Sequence, residues 1–219
     1  MKPIIKLASA TTADGRLLTL TRRDGYFYIR MDRQELMSSR AHESELELAR
    51  LGCAGIAGHR NPTVLVGGLG MGYTLRQALD MLRPGARVVV SELTPEVVRW
   101  NRDFLGELAG HPLRDPRVAL RVCDVVDVIR NSPGAFDAIL LDIDNGPEAL
   151  TADGNDRLYG PRGIRACRDS LRPGGLLAVW SAGADPAFEV RLRKEGLHCR
   201  CCRAADHKGS RSRTRCIWI

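Results

Sequence analysis

The sequence predicts an α/β fold: a Rossmann-like, mainly parallel, seven-stranded sheet with helices on both faces, plus a small N-terminal β-hairpin region. Two observations support this prediction. A short apolar strand at residues 64–66 runs into a glycine-rich turn and then into a helix with Leu75 and Leu79 on one face. After this turn, strands and helices alternate strictly, which is typical of a parallel sheet.

The chain is predicted to divide into an N-terminal β-hairpin region, residues 1–40, and a nucleoside-binding α/β domain, residues 41–219. Asp24 and Gly25 form a strong hairpin-turn signal between two β-rich segments. A two-stranded ribbon is only marginally stable alone, so we expect it to pack on the main domain or on a second subunit. The candidate strands of this region are residues 4–8, 16–21 and 26–31.

Apolar runs, capping residues and turn signals locate the elements of the larger domain. The predicted strands are residues 64–66, 87–91, 117–122, 136–141, 176–180, 197–203 and 215–219. Helices are predicted over residues 40–51, 73–82, 95–108, 125–130, 162–171 and 185–195. The last two strands are joined by a short loop and should be antiparallel. The long polar loop at residues 145–160 is expected to be functional.

Composition narrows the class of protein. The net charge is +7, which favours acidic ligands, but the arginines are scattered along the chain. One basic stretch, residues 200–215, lacks the interleaved aromatics of a nucleic-acid site, so we interpret it as a solvated loop. No apolar run approaches the roughly 20 residues that span a bilayer, and no signal peptide is recognisable. We therefore expect a cytoplasmic protein without membrane or nucleic-acid partners.

Seven cysteines are present. Cys53, Cys123 and Cys167 stand singly in apolar segments and are predicted to be reduced core residues. The others crowd the last two strands, where their C-x-C-C spacing lacks the paired C-x-x-C of zinc sites. We therefore predict packing roles and no metal site for Cys199, Cys201, Cys202 and Cys216.

Four successive strands end in glycine or an acid, at the edge of the sheet where ligands bind in such folds. Glu92 follows the second strand, and a carboxylate there can accept both hydroxyls of a ribose; the alternative is a surface acid or a helix cap. Asp124 either accepts from an adenine amino group or caps the next helix, and both roles stay open. The predicted cofactor-binding residues are Gly68, Gly70, Met71, Gly72, Glu92, Leu93, Asp124 and Val125.

Asp142 and Asp144 follow a fully apolar strand. Two carboxylates this close raise each other's pKa, which suits a general base or a cation site, although either residue could cap a turn instead. We predict that both are catalytic. The predicted substrate-binding residues are His42, Asn145 and Tyr159.

These segments together resemble the spermidine synthase (polyamine aminopropyltransferase) family, which has a class I S-adenosylmethionine-dependent methyltransferase-like fold. The resemblance covers residues 42–180. It implies that Glu92 holds the ribose, Asp124 the adenine, and Asp142 deprotonates the attacking amine. It also implies a homodimer that uses S-adenosylmethionine or its decarboxylated form and a small amine acceptor. The motifs that support it are VLVGGLGMGYTLR, SEL, CDVVDV, AILLDIDNGP, LRPGGLLAVW and the His42-Glu43 pair.

The sequence departs from this family at three positions whose residues, by the resemblance, would bind the amine groups of the acceptor or the donor. Met71 stands where the family has an acid between its glycines, Ala41 replaces a tyrosine, and Asn145 replaces a second acid unless Asp144 substitutes for it. We therefore expect the nucleoside site to be retained without strong preference for the decarboxylated donor. Alternative functions are an S-adenosylmethionine-dependent methyltransferase of a small molecule or nucleic acid, a non-catalytic nucleoside-binding homologue and, more remotely, a NAD-binding dehydrogenase.

Overall fold

A computed structural model describes residues 3–12, 15–143, 157–205 and 214–219. The strands are β1 Ile5–Thr11, β2 Leu17–Arg23, β3 Tyr26–Met31, β4 Gln34–Ser38, β5 Thr63–Gly67, β6 Arg87–Glu92, β7 Val118–Val122, β8 Phe136–Leu141, β9 Leu171–Ser181, β10 Cys201–Ala205 and β11 Thr214–Trp218. The helices are α1 Glu43–Cys53, α2 Tyr73–Met81, α3 Pro95–Trp100, α4 Val125–Arg130, α5 Pro161–Ser170 and α6 Pro186–Lys194. Within these ranges, no helix is long and apolar enough to cross a membrane.

The N-terminal region is a four-stranded antiparallel sheet in the order β1-β2-β3-β4. Asp24 and Gly25 both have positive φ, 51° and 85°, as the predicted two-residue hairpin turn requires. The predicted strands are confirmed, and β4 is an additional strand. It follows a second tight turn at Asp32, whose φ is 53°. No glycine marks that turn, so the sequence pattern did not reveal β4.

The larger sheet has seven strands in the order β10-β11-β9-β8-β5-β6-β7. The five strands from β7 to β9 are parallel, and β11 is antiparallel to both of its neighbours. This confirms the predicted fold class and the predicted antiparallel closing pair. The strand before the glycine turn, β5, lies between β6 and β8, so the carboxyl ends of three strands converge around that turn.

Helices cover both faces of this sheet, as predicted. Val64 and Val66 of β5 point into one core cluster, which also contains Leu18 and Leu20 of the N-terminal sheet. Leu65, between them, points into a second cluster on the opposite face. The N-terminal sheet therefore packs on the α/β domain through a shared core.

Two predicted helices end earlier than expected. The helix that begins at Pro95 gives way to a π-helical turn, Asn101–Leu105, and a 3₁₀ turn, Gly106–Ala109. Helix α5 ends at Ser170, and β9 begins at once at Leu171, so the predicted Pro-Gly-Gly cap lies within the strand. The register of β8 with β9 is irregular there, which accommodates the extra residues.

The cysteines differ in part from the prediction. Cys53 and Cys167 are buried free thiols, and burial raises the pKa of each to about 12. Cys123 is free but only half-buried, so its assignment to the core is wrong. Cys201 and Cys216 form a disulfide bond between β10 and β11, where only packing was predicted. The described residues contain no group of three or more His, Cys, Asp or Glu side chains suited to a metal.

Candidate active site

The predicted cofactor-binding glycines form the turn between β5 and α2, here called the glycine loop, residues 68–72. Gly68, Gly70 and Gly72 have φ of 92°, 51° and 87°, a region that side chains with a Cβ atom rarely adopt. A Cβ on Gly68 would lie 2.2 Å from the backbone oxygen of Asp142. Glycine is therefore required at position 68 both by conformation and by the close approach of β8.

Glu92 binds the glycine loop directly. Its Oε2 accepts the Leu69 N–H at 2.9 Å, and its Oε1 accepts the Thr94 N–H at 2.9 Å. The residue is only 8% exposed, so these charge-assisted bonds offset the cost of burying the carboxylate. A carboxylate has about four acceptor positions, so a single group can in principle bind both backbone N–H groups and ribose hydroxyls. The next residue, Leu93, is 69% exposed, and its apolar side chain is open at the strand end.

Two further side chains hold the glycine loop, and the sequence indicated neither of these contacts. Asn101 donates from Nδ2 to the Gly70 carbonyl at 2.7 Å. Met37 of β4 accepts the Met71 N–H on its Sδ at 3.1 Å. A Cβ on Gly70 would lie 2.6 Å from the Met37 methyl carbon, so this thioether lies directly over the loop.

Met71 itself is completely buried. Its side chain belongs to the core, and a contact of Met71 with the cofactor stays a prediction. The apolar side chains of Met71 and Met37 thus occupy the part of the loop where the resembled family carries an acid.

Asp124 caps helix α4. Its Oδ1 accepts the Val126 N–H at 2.9 Å, and its Oδ2 pairs with Arg157 at 2.9 Å. One of the two predicted roles, the cap, is confirmed, and the adenine contact stays a prediction. Arg157 was not anticipated from sequence. Val125 is buried and packs against the end of β5, since a Cβ on Gly67 would lie 2.9 Å from its Cγ2.

Asp142 stands at the end of β8, beside the glycine loop. Its backbone N–H donates to the Gly67 carbonyl at 2.8 Å, and its Oδ2 accepts the Thr74 hydroxyl at 2.5 Å. Burial raises the pKa of Asp142 to about 6, although the hydrogen bond from Thr74 works in the opposite direction. A carboxylate with this pKa is mostly ionised at neutral pH yet accepts a proton more readily than an ordinary aspartate.

His42 lies against the first turn of α2. Its ring stacks on Tyr73, with centroids 4.1 Å apart and planes 13° apart. Burial and the charge of Glu45 raise the pKa of Tyr73 to about 12. The Glu45 carbonyl is 3.4 Å from the Thr74 hydroxyl, the same hydroxyl that contacts the predicted base. His42 and Asp142 thus contact successive residues of α2, Tyr73 and Thr74, and the predicted contact of His42 with substrate stays a prediction.

The remaining predicted site residues do not join this group in the described structure. Tyr159 is buried on the opposite face of the sheet, where its ring meets Phe188 edge-on at 5.7 Å. Its predicted contact with substrate stays a prediction. Asp144 and Asn145 lie outside the described residues, as do most of the predicted functional loop at residues 145–160 and residues 206–213 of the basic stretch near the C-terminus.

Comparison with known proteins extends this description. Residues 51–191 match the spermine/spermidine synthase domain family. A polyamine aminopropyltransferase from Synechococcus sp. is 31% identical over 123 residues, 56% of this chain and 38% of the relative. Polyamine aminopropyltransferase 1 of Hyperthermus butylicus is 30% identical over 142 residues, 62% of this chain and 46% of the relative. The aligned region is thus less than half of either relative.

Solved structures share the fold. A spermidine synthase from Thermotoga maritima superimposes with a TM-score of 0.76 at 18% identity, covering 98% of this chain and 72% of that one. A spermidine synthase in complex with the transition-state analogue AdoDATO gives 0.74 at 17% identity, covering 98% and 71%.

Proposed function

This chain belongs to the spermine/spermidine synthase domain family, and on that premise we propose that it is a transferase that alkylates a small amine. Its donor would be decarboxylated S-adenosylmethionine or S-adenosylmethionine. The observation that carries the proposal is Asp142, a desolvated carboxyl group beside a glycine loop, with a pKa raised to about 6. The resemblance also favours a homodimer, which sedimentation of the purified protein would test, and we propose the cytoplasm as its location.

The described residues fit a nucleoside. The positive-φ glycines carry no side chains of their own that would hold a ligand away from the loop backbone, and the Met37 thioether covers the loop at Gly70. Glu92 ends β6 as a carboxylate that binds backbone N–H groups, and a carboxylate has about four acceptor positions, so one group can bind backbone and ribose hydroxyls together. Leu93 presents an exposed apolar side chain next to it, suited to the face of a purine ring.

Asp142 would act as the general base. An amine acceptor is protonated at neutral pH, and its nitrogen must lose a proton before its lone pair can attack. The bound sulfonium donor supplies an electrophilic carbon, whose bond to sulfur breaks with both electrons as the carbon–nitrogen bond forms, leaving a neutral thioether. Asp142 takes the proton from the amine, an effect typically worth about 10²–10⁴ in rate. Thr74 orients the carboxylate by its hydrogen bond.

The choice of donor rests on the other side of the loop. Met37 places its thioether against Gly70, and Met71, which stands where the resembled family has an acid, has an apolar, buried side chain. The two methionine side chains neither attract an amine nor repel a carboxylate, so among the described residues they give no preference for the decarboxylated donor. Methyl transfer from intact S-adenosylmethionine to a small molecule is therefore the second candidate function.

Calorimetry with methylthioadenosine, S-adenosylmethionine and decarboxylated S-adenosylmethionine tests the nucleoside site.

Turnover is then measured with a panel of small diamines for the wild type and for Asp142→Asn. We expect the substitution to abolish most turnover while changing nucleoside affinity less than about 10-fold. Asp169→Asn, at an exposed position of α5, is the matched control. Full turnover in Asp142→Asn would exclude this residue as the base.

A further inference from the structure

Asn101 has an arrangement that the proposed chemistry does not explain. It begins the π-helical turn after α3 and is only 3% exposed. Its Nδ2 donates to two backbone carbonyls, Gly70 at 2.7 Å in the glycine loop and Val97 at 2.9 Å in α3. The side chain thus joins the loop to the helix that follows β6.

The amide can take only this orientation. Both hydrogens of Nδ2 are used, and the reversed amide would place its oxygen against two carbonyl oxygens. Oδ1 has no hydrogen-bond partner among the described residues and would lie 3.4 Å from a Cβ on Gly72. Asn101 therefore leaves its own buried oxygen without a hydrogen bond among the described residues, while its nitrogen satisfies both carbonyls. A buried acceptor without a partner costs free energy, so the bond to the loop is kept at the expense of a bond to Oδ1.

The local backbone points in the same direction. The sequence predicts an uninterrupted helix here, but a π-helical turn begins at Asn101. Such turns are rare, and they occur frequently at functional sites. Gly70, whose carbonyl Asn101 binds, has a φ of 51°. Because glycine has no side chain to pack, contacts from other residues must hold its conformation.

We propose that Asn101 is a positioning residue for the nucleoside site. It fixes the Gly70 carbonyl and thereby keeps the glycine loop in the conformation that receives a ligand. Glu92 and Met37 hold the N–H groups on either side of this carbonyl, at Leu69 and Met71. The identity of the ligand rests on the proposed function, whereas the order of the loop does not.

The test compares Asn101→Leu with Asn131→Leu. Asn131 also donates from Nδ2 to the carbonyl four residues earlier, at 2.8 Å, but it lies exposed after α4 and touches no loop. We expect Asn101→Leu to weaken methylthioadenosine binding about 10-fold or more. Hydrogen exchange measured by NMR should accelerate at residues 69–72 and stay unchanged in β6. Asn101→Gln keeps the donor group and should recover part of both effects.

Each outcome decides a different point. If Asn101→Leu matches Asn131→Leu in both affinity and loop exchange, the positioning role is wrong. If the wild type binds no methylthioadenosine, the proposed function fails, but the exchange data still judge Asn101. Should Asn101→Leu not fold, Asn101→Ser removes the same donor without adding apolar bulk and serves in the same comparison.

Discussion

Replacing Asp142 by asparagine is expected to stabilise the fold at neutral pH even though it removes the proposed base. Burial makes ionisation of this carboxyl group unfavourable, since it raises the pKa of Asp142 from 3.8 to about 6. Asparagine has nearly the same shape but no charge, and its amide oxygen can still accept the Thr74 hydroxyl. The substitution therefore removes the desolvation cost and keeps the local packing.

The magnitude follows from the pKa shift. The difference between a pKa of about 6 in the folded state and 3.8 in the unfolded chain, at about 1.36 kcal/mol per pKa unit, sets an upper limit of about 3 kcal/mol on the destabilisation of the ionised folded state. Asp142 is half-buried, so screening by solvent lowers the effect below this limit. The folded state holds the Asp142 proton more tightly than the unfolded chain does. The contribution of this group to the free energy of unfolding is therefore fully present below about pH 4 and is lost as the pH rises through about 6. Above about pH 7 the loss of this contribution is complete. In the variant, the asparagine at position 142 does not titrate, so this position adds no pH dependence to the free energy of unfolding.

Urea unfolding of both proteins between about pH 4 and 8 measures this difference. The free energies of unfolding should converge near pH 4 and separate by up to about 3 kcal/mol, in favour of the variant, near pH 8. Asp169→Asn, at an exposed position on α5, should show no comparable separation. A difference between wild type and Asp142→Asn that is the same at both ends of the range would refute the argument from burial.

Three further predictions concern the glycine loop. Glu92→Ala should lower methylthioadenosine affinity by roughly 10- to 100-fold in calorimetry, because charge-assisted bonds are lost; unchanged affinity would remove the ribose assignment. In competition assays, the preference for decarboxylated over intact S-adenosylmethionine should stay below about 100-fold, since Met71 carries no charge; a larger preference would require an acid elsewhere. Gly68→Ala should cost several kcal/mol in thermal denaturation, because its Cβ would meet the backbone of β8. The control Gly134→Ala, at a φ of 60° with no atom within 4 Å, should lose only about 1 kcal/mol, and equal losses would contradict the steric argument.

Elements fixed by local chemistry were the ones the sequence predicted best. Strand β8 and helix α4 have the predicted bounds, because an unbroken apolar run defines the first and the Asp124 cap begins the second. The glycines, Glu92 and Asp142 meet at one edge of the sheet because they follow parallel neighbouring strands. The order of elements was enough to place them there.

Contacts between distant parts of the chain were not predictable in the same way. Met37 reaches Met71 across 34 residues, and Asn101 reaches Gly70 across 31. Neither residue type predicts such a contact, since a methionine in an apolar pattern indicates a core residue and Asn101 falls on the predicted stripe of a helix. The Cys201–Cys216 bond likewise depends on the register of two strands, which spacing alone does not specify.

The position of β11 has a consequence for synthesis of the protein. This strand is the last of the sheet in sequence but lies inside it, between β9 and β10. In the described structure β10 is hydrogen-bonded to β11 alone, so it has no place in the sheet until β11 has left the ribosome. Until then β9 exposes its outer edge, the kind of open strand that pairs with other chains. We therefore expect nascent chains stalled before Ile217, a completely buried residue, to be especially prone to aggregation.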